Sequence, residues 1–165
     1  MILTKDGVLD TALALAVGAV KSEDVLDLGE LCVNGFGPGG NKAYLDIETR
    51  VAAAGGTTST YQCQLVVSDQ ANLSANRIEI CGVTITGAAD VRIAKAGEKI
   101  LSMELPDQLW RVMKANAGYK YCGLWWTLAN GNGVATLTVN SALSPSRPRT
   151  PDGIQVTQSP VSLPD

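Results

Sequence analysis

Apolar and polar residues alternate with a period of two along much of this chain, and this alternation narrows the possible folds more than any other feature. In residues 45–51, one set of side chains is apolar or threonine and the other is charged: Leu45, Ile47, Thr49 and Val51 against Asp46, Glu48 and Arg50. Residues two positions apart in a helix point about 200° apart, so a helix would scatter the apolar set. The run therefore predicts a β-strand with one buried and one solvated face.

Runs of the same kind recur at short spacing and predict eight or nine strands. They cover residues 12–17, 25–28, 45–51, 61–67, 78–85, 100–105, 109–115, 119–128 and 134–139. Turn-forming residues fill 54–60, 116–118 and 129–133, and each of these turns predicts a hairpin between its flanking strands. Gly82 predicts a bulge or bend within the fifth run. Helix is expected only as single turns, at 68–74 and 106–108.

A domain of about eight short strands folds as a sandwich or a barrel, and eight strands fit the double-sheet jelly roll. We therefore predict an all-β jelly roll or β-sandwich of about eight strands with extended N- and C-terminal arms. The predicted division is 1–22 for the N-terminal arm and first short strand, 23–140 for the sandwich, and 141–165 for the C-terminal arm.

The C-terminal arm differs in kind because it holds five of the seven prolines: Pro145, Pro148, Pro151, Pro160 and Pro164. Proline donates no ladder hydrogen bond, so a central strand is excluded and an extended, partly polyproline-like segment is expected. The apolar residues of the arm come in spaced pairs, Ile154 with Val156 and Val161 with Leu163. We expect this arm to dock onto a neighbouring subunit.

Charge and residue types argue against several functions. The chain has 13 basic and 16 acidic residues, a net charge of −3, which leaves no basic stripe for nucleic acid and no polybasic patch for an anionic membrane. It contains no histidine, which excludes Ser-His-Asp and Cys-His catalysis and every histidine-containing metal site. The apolar stretch at 13–20 is too short to span a membrane. We expect no cofactor, no metal, and folding in a reducing cytoplasm.

The four cysteines, Cys32, Cys63, Cys81 and Cys122, form no C-x-x-C pair, so a structural zinc site is not expected. Three of them lie inside strand-like runs. We predict buried, reduced thiols that act as small apolar side chains, and two disulfides in an extracellular domain are the alternative.

Two patterns resemble functional sites but have simpler interpretations. Residues 35–40 (GFGPGG) contain G-x-G, yet a strand is expected to follow instead of a helix, so a plain loop is predicted. Glu48, Glu79 and Glu104 lie in strands, where a carboxylate pair would suit a glycosidase, but each falls on an expected solvent face. The chain is therefore predicted not to be an enzyme.

Aromatic residues concentrate in the run at 119–128, which contains Tyr119, Tyr121, Trp125 and Trp126 and follows Trp110 closely. Adjacent strand residues point to opposite faces, so one of Trp125 and Trp126 belongs in the core and the other faces outward. The outward ring is a candidate for an inter-subunit contact. A covered surface and a carbohydrate-binding platform are the alternatives.

Several stretches, taken in order, resemble one protein family. They are MILTKD at the N-terminus, VLDLG at 25–29, AYLDI at 43–47, QLVVSD at 64–69 and LWRV at 109–112, with a glycine-rich loop before the third and another loop before the fourth. Over roughly residues 1–140 the chain resembles the head cement proteins of tailed phages. The resemblance implies a jelly-roll subunit, usually dimeric, on the outer surface of the capsid, and it carries over no catalytic residue. The arm after Val139 is longer than the family core needs.

These observations favour a structural virion protein, a capsid cement or decoration protein. The expected partners are the major capsid protein and the chain itself, as a homodimer or else a trimer, on the capsid surface of a virion made in the host cytoplasm. The expected contact residues are Ile2, Leu3, Trp125, Trp126, Ile154, Val156, Val161 and Leu163. The first alternative is a carbohydrate- or receptor-binding β-sandwich module of a phage tail or fibre, and the second is a hydrolytic enzyme.

Overall fold

The computed structural model describes residues 8–116 and 118–144 of the 165-residue chain. The strands in this part are β1 (Val8–Leu15), β2 (Gly18–Lys21), β3 (Leu26–Asp27), β4 (Tyr44–Ala54), β5 (Thr60–Ser68), β6 (Ile78–Thr86), β7 (Lys99–Glu104), β8 (Tyr121–Ala129) and β9 (Thr136–Ser144). The helices in this part are α1 (Leu28–Val33) and α2 (Asp107–Ala115).

The strands form two antiparallel sheets that enclose the core. Sheet A has the order β1-β9-β4-β7, and sheet B has the order β2-β8-β5-β6, with β3 also paired to β8. The first strands along the chain pair with the last ones: β1 with β9, β2 and β3 with β8, β4 with β7, and β5 with β6. The chain is thus one long hairpin, with its tip at β5–β6, that has rolled up until β9 meets β4 and β8 meets β5. Because β2 and β3 act as one interrupted strand, this is an eight-stranded double-sheet jelly roll, which confirms the predicted fold.

Side-chain alternation places the core between the two sheets. In β4 the inward Leu45 and Ile47 are fully buried, whereas Asp46 and Glu48 lie on the outer face of sheet A. The inward side chains of β5, β8 and β9 are buried in the same way: Tyr61, Cys63, Leu65, Val67, Cys122, Leu124, Trp126, Leu128, Leu137, Val139 and Leu143. Each large apolar side chain removed from water stabilises the fold by about 1.5–3 kcal/mol.

The three predicted hairpins are wrong. The turn at 54–60 leads from β4 in sheet A to β5 in sheet B, and the turn at 129–133 leads from β8 in sheet B to β9 in sheet A. The turn at 116–118 follows a helix instead of a strand. Turn residues indicate that the chain reverses, but in a double-sheet roll the returning strand often crosses to the other sheet instead of pairing with its neighbour.

Residues 109–115, predicted as a strand, belong to helix α2. Their apolar residues follow helical spacing on one face, where Leu109 and Trp110 are buried and Val112 and Met113 are half-buried. Asp107 lies in the first turn, where a negative charge suits the helix dipole. The helical turn expected at 106–108 is therefore the start of a longer helix, which connects β7 to β8.

Two strand details also differ from the prediction. The strand expected at 25–28 is reduced to β3, because the chain turns into helix α1 at Leu28 with Asp27 as its cap. The irregularity expected at Gly82 lies earlier in β6: the pairing with β5 is regular at Gly82 and shifts between Glu79 and Cys81.

The sandwich is longer at both ends than residues 23–140. β1 and β2 pair with β9 and β8, so residues 8–21 are built into the two sheets. β9 runs on to Ser144 and still pairs with Tyr44 there. Of the predicted arms, residues 1–7 and 145–165 lie outside the described residues.

The two ends of the sandwich differ in content. One end, here called the junction end, holds the first described residue, Val8, and the last, Ser144, together with helices α1 and α2. The other end, here called the turn end, holds the turns at 55–59 and 130–135 and the loop at 87–98. Strand register establishes this arrangement, because Val8 pairs with Ala142 and Ser144 with Tyr44, while Ala54 pairs with Thr136 at the opposite end of β9.

Candidate interaction surfaces

The two segments beyond the described residues attach side by side at the junction end. Val8, which follows residues 1–7, pairs with Ala142 of β9, two positions before Ser144, which precedes residues 145–165. Neighbouring strands lie about 4.8 Å apart, so both attachments come from one corner of sheet A. The predicted contact residues in these segments are Ile2, Leu3, Ile154, Val156, Val161 and Leu163. They lie outside the described residues, and their contacts stay predictions.

A groove of about 360 Å³ opens on the outer face of sheet A, next to Val8. Lys99 Nζ lies there 3.5 Å from Asp46 Oδ1 and 3.7 Å from Glu48 Oε2. Asp46 Oδ1 is buried and has no hydrogen-bond partner within the described part of the chain, where the Lys99 ammonium is its polar contact. Asn140 Nδ2 donates to Glu48 Oε1 at 3.1 Å. The groove is therefore polar, and its charges are partly compensated from within.

Trp125 and Trp126 point to opposite faces of β8, as the alternation predicts. Trp126 is only 1% exposed and lies in the core between the sheets, where its indole N–H has no hydrogen-bond partner among the described residues. Trp125 is half-buried on the outer face of sheet B, between Lys21 of β2 and Gln64 of β5. Of the two rings, Trp125 is the one placed to contact a partner.

Arg77, which the sequence analysis did not single out, covers the ring of Trp125. Its guanidinium carbon lies 3.7 Å from the ring centroid, within the range of a cation–π contact. Its Nη1 also donates to the backbone oxygens of Leu73 at 2.7 Å and Ser74 at 3.0 Å. No local sequence pattern links Arg77 to Trp125, because Arg77 lies in the loop before β6 and Trp125 in the middle of β8, and the two meet only in the folded protein.

The loop that Arg77 closes, residues 69–77, folds back over the outer face of sheet B. Leu73 is fully buried there, and a Cβ added to Gly123 would lie 2.8 Å from Leu73 Cδ1. Leu73 has a φ of 53°, a left-handed conformation that a leucine rarely adopts. The helical turn expected at 68–74 is instead an irregular turn, in which the Leu73 N–H donates to the Gln70 oxygen at 3.0 Å. Sheet B is thus covered on both faces at this position.

At the turn end, the two chain crossings bind each other. Asn132 Oδ1 accepts hydrogen bonds from the N–H and the hydroxyl of Thr58, both at 3.2 Å, and the Asn132 N–H donates to Thr58 Oγ1 at 3.0 Å. Ser59 Oγ donates to the Gly133 oxygen at 3.1 Å. A Cβ on Gly56 would lie 1.7 Å from Asn132 Oδ1, so this approach requires glycine. We call this set of contacts the turn-end lock.

The three strand glutamates lie on outer faces, as expected, and each has a partner. Glu104 pairs with Lys42 at 2.9 Å. Glu79 accepts a hydrogen bond from Gln64 Nε2 at 2.6 Å. Glu48 and Glu104 belong to sheet A and Glu79 to sheet B, so the three are not gathered around one site.

The glycine-rich loop at 35–40 packs against helix α2 and leads into β4. A Cβ on Gly37 would lie 3.5 Å from Cys32 Sγ and 3.6 Å from the Trp110 ring, and the residue has a φ of 119°. A bridge between Phe36 and Asn41 closes the loop. A strand follows it instead of a helix, so the arrangement that a dinucleotide site needs is not formed here.

All four cysteines are free thiols, as predicted. Burial raises the pKa of the Cys63 and Cys122 thiols well above the usual value, so both behave as apolar core residues. Cys81 is only half-buried, which departs from the predicted burial, and its partial burial raises the pKa of its thiol. Cys32, the one cysteine outside the strand-like runs, lies in α1 and is exposed, so the prediction of burial is wrong for it too.

Within residues 8–116 and 118–144, no group of three or more His, Cys, Asp or Glu side chains is placed to hold a metal ion. Among the helices of that same part of the chain, none is long and apolar enough to cross a membrane. Neither a protein-family model nor a curated protein sequence matches the chain.

Proposed function

We propose that this protein is a capsid cement, or decoration, protein: a structural virion protein that binds the outer surface of a phage head and stabilises contacts between major capsid protein subunits. The observation that carries the proposal is the attachment of both terminal segments, at Val8 and Ser144, to neighbouring strands at one end of a jelly roll. The resemblance of residues 1–140 to head cement proteins supports the same role.

A body with two segments attached at one end suits a protein that bridges capsomers. An extended chain spans up to about 3.3 Å per residue, so residues 145–165 can reach tens of ångströms from the body. Burial of their apolar pairs and main-chain hydrogen bonds to a partner would offset the entropy lost when the segment becomes ordered. Because a capsid repeats each binding site many times, modest contacts of this kind stabilise the lattice through avidity.

The body also has features that resist deformation. The core between the sheets is filled by fully buried side chains, and protein interiors packed in this way have low compressibility. The turn-end lock ties the β4–β5 crossing to the β8–β9 crossing through Asn132 and Ser59. A bridging protein transmits load between capsomers only if its own body keeps its shape, so these features support a cement role.

Cosedimentation of the purified protein with phage heads that lack it tests the proposal. We expect saturable binding at a fixed ratio to major capsid protein, and loaded heads that survive a higher temperature than bare heads. Heads that already carry their full complement should bind none, which controls for nonspecific adsorption. A folded protein that does not bind bare heads would contradict the proposal.

Two deletions test the part played by the terminal segments. Residues 1–7 and residues 145–165 can each be removed without cutting a described strand, because β1 begins at Val8 and β9 ends at Ser144. We expect each deletion to lower head occupancy and the double deletion to abolish it. The variant Val134→Ser, at an exposed position of the turn end, should bind as the unmodified protein does. Unchanged occupancy without residues 145–165 would remove the C-terminal segment from the proposal.

A carbohydrate- or receptor-binding module of a tail or fibre is the alternative function. That function calls for an aromatic ring with a face open to a sugar, whereas Trp126 lies in the core and Arg77 covers Trp125. Tryptophan fluorescence of the purified protein distinguishes the two functions. Sugar-dependent quenching, together with no binding to heads, would favour the alternative.

A further inference from the structure

The sandwich is less completely closed along one side. β6 and β7 are the outermost strands of the two sheets there, and within the described residues each pairs with one neighbour only. Of their inward side chains, Cys81, Val83, Leu101 and Met103 are half-buried and Ile85 is fully buried, whereas the inward side chains of β5 and β8 are all fully buried. Cys81 Sγ and Met103 Sδ lie 3.7 Å apart across the gap. Core side chains therefore reach solvent along this side, here called the open side.

From Cys81 to its end at Thr86, β6 presents an edge that lacks the usual protection against strand addition. Edge strands of native proteins commonly carry bulges, charges or proline that block pairing. β1 is bulged twice, β2 has four residues and ends at Lys21, and β7 begins at Lys99 and ends at Glu104. From Cys81 to Thr86, by contrast, β6 pairs with β5 in unbroken register, and its sequence CGVTIT contains neither charge nor proline. Such an edge can accept another strand.

Residues 153–159 (GIQVTQS) have the length and the pattern to fill this edge. They lie between Pro151 and Pro160 and carry neither charge nor proline, and they match the unbroken stretch of β6 in length to within one residue. Alternate residues of an added strand point to one face, so Ile154 and Val156 together can turn inward. There they would meet the half-buried side chains of the open side. Pro160 would end the pairing, because proline cannot donate to the ladder.

The spacer before this segment favours a second copy of the chain over its own β6. Residues 145–152 contain Pro145, Pro148 and Pro151, and proline-spaced segments favour a stiff, extended conformation of about 3.1 Å per residue. β4 and β7 lie between β9 and the open side, so a spacer from Ser144 would have to bend back around both to reach its own β6. We propose that residues 153–159 of one copy add as a strand to the β6 edge of a second copy.

This exchange would complete the core of the second copy and cover its unprotected edge. It links copies of the chain to one another and does not depend on whether they bind a phage head. Its test is therefore made on the purified full-length protein in solution, and it can fail or succeed independently of the head-binding experiment.

Alkylation of Cys81, followed by mass spectrometry of its peptide, measures occupancy of the open side. Cys32 is exposed elsewhere in the same molecule and supplies the reference rate. We expect the double substitution Ile154→Asp and Val156→Asp to raise the ratio of the Cys81 rate to the Cys32 rate by about tenfold, because the covering strand is lost. Light scattering should show the same variant as a monomer of 17.2 kDa, and the unmodified protein as an oligomer.

A matched control is the double substitution Val161→Asp and Leu163→Asp, which adds the same charges beyond Pro160. It should leave both the alkylation ratio and the mass of the unmodified protein unchanged. Three results would each overturn the proposal. The first is an equal alkylation rate of Cys81 in the unmodified protein and in the Ile154/Val156 variant. The second is slow alkylation of Cys81 in an unmodified protein that is monomeric. The third is the same rise in the Cys81 alkylation rate in both double variants.

Discussion

Asp10 of β1 shows how one residue ties its strand both to β9 and to the connection between β2 and β3. Only 1% of its surface is exposed. Its Oδ1 accepts a hydrogen bond from the Glu23 N–H at 2.7 Å, and its Oδ2 accepts one from the Ser141 hydroxyl. Burial raises the pKa of this carboxyl above its ordinary value of 3.8, and the nearby negative charges of Glu23 and Asp24 act in the same direction. The two hydrogen bonds oppose burial without cancelling it.

The raised pKa of Asp10 predicts a pH-dependent stability. Because the pKa of Asp10 is higher in the folded than in the unfolded protein, the folded protein binds the proton more tightly. The stability that comes from protonated Asp10 is therefore complete below pH 3.8 and is lost as the pH rises through the raised pKa. Asp10→Asn removes the titration and keeps an acceptor for the Glu23 N–H. The free energy of unfolding of the variant, relative to the unmodified protein, should therefore increase between about pH 3 and about pH 7 in urea titrations.

Glu98→Gln, which removes one negative charge at an exposed position, is the control for the change of net charge in the Asp10 experiment. If the difference between Asp10→Asn and the unmodified protein were the same at both pH values, the burial of a charged Asp10 would not control stability in this range.

At the scale of elements, the period of two predicted the strands β4, β5 and β8 and the buried faces of β4 and β5, but it left open which face of β8 is buried. In β4 the prediction was wrong for Val51, which is exposed because the pairing with β9 shifts between Thr49 and Val51. The same pattern gave the wrong result at α2, because Leu109 and Trp110 are typical of strands. The burial of Leu109 and Trp110 together with the half-buried Val112 and Met113 follows the spacing of a helix instead. The hairpins failed for a different reason. Turn residues determine local reversal, and the choice between pairing within a sheet and crossing to the other sheet depends on strands that are distant in sequence. For the same reason, the sequence did not predict that Arg77 contacts Trp125, because the two residues are distant along the chain.

The loop at 69–77 is held over sheet B by Arg77, and this contact can be tested by substitution. Arg77→Ala removes the contact over Trp125 and two hydrogen bonds to the backbone, so we expect a loss of about 1–2 kcal/mol in the free energy of unfolding. Trp110 and Trp126 are buried, so acrylamide quenching reports mainly on Trp125 and should increase. Arg111→Ala, on the exposed side of α2, should change neither measurement. Unchanged quenching in Arg77→Ala would mean that Arg77 does not hold the loop over the ring.

For the whole molecule, strand number and composition were enough to predict a double-sheet roll. The contacts predicted for residues of the tail lie outside the described part of the chain and stay predictions. What the sequence did not predict is the placement of the two attachments at one end and of the turn-end lock at the other. Both follow from the order in which the long hairpin rolls up. In that order, 55–59 and 130–135 meet, although seventy or so residues separate them along the chain.

The turn-end lock predicts a loss of stability when the contacts between the two chain crossings are disrupted. Gly56→Ala would place a methyl carbon 1.7 Å from Asn132 Oδ1 and 2.8 Å from the Asn132 backbone carbon, so we expect a loss of about 1–3 kcal/mol in the free energy of unfolding. Asn132→Ala alone removes the two hydrogen bonds that the Asn132 side chain accepts from Thr58 and should cost about 1–2 kcal/mol.

Because part of the Gly56→Ala clash is with the Asn132 side chain, the double variant should lose less than the sum of the two single losses. Gly118→Ala is the matched glycine control, since its added carbon would lie 3.8 Å from the nearest neighbour, an ordinary contact distance. Urea unfolding of the four variants measures this coupling directly. Losses that simply add would mean that the two crossings are stabilised independently, and that the sheets are joined at this end by the core alone.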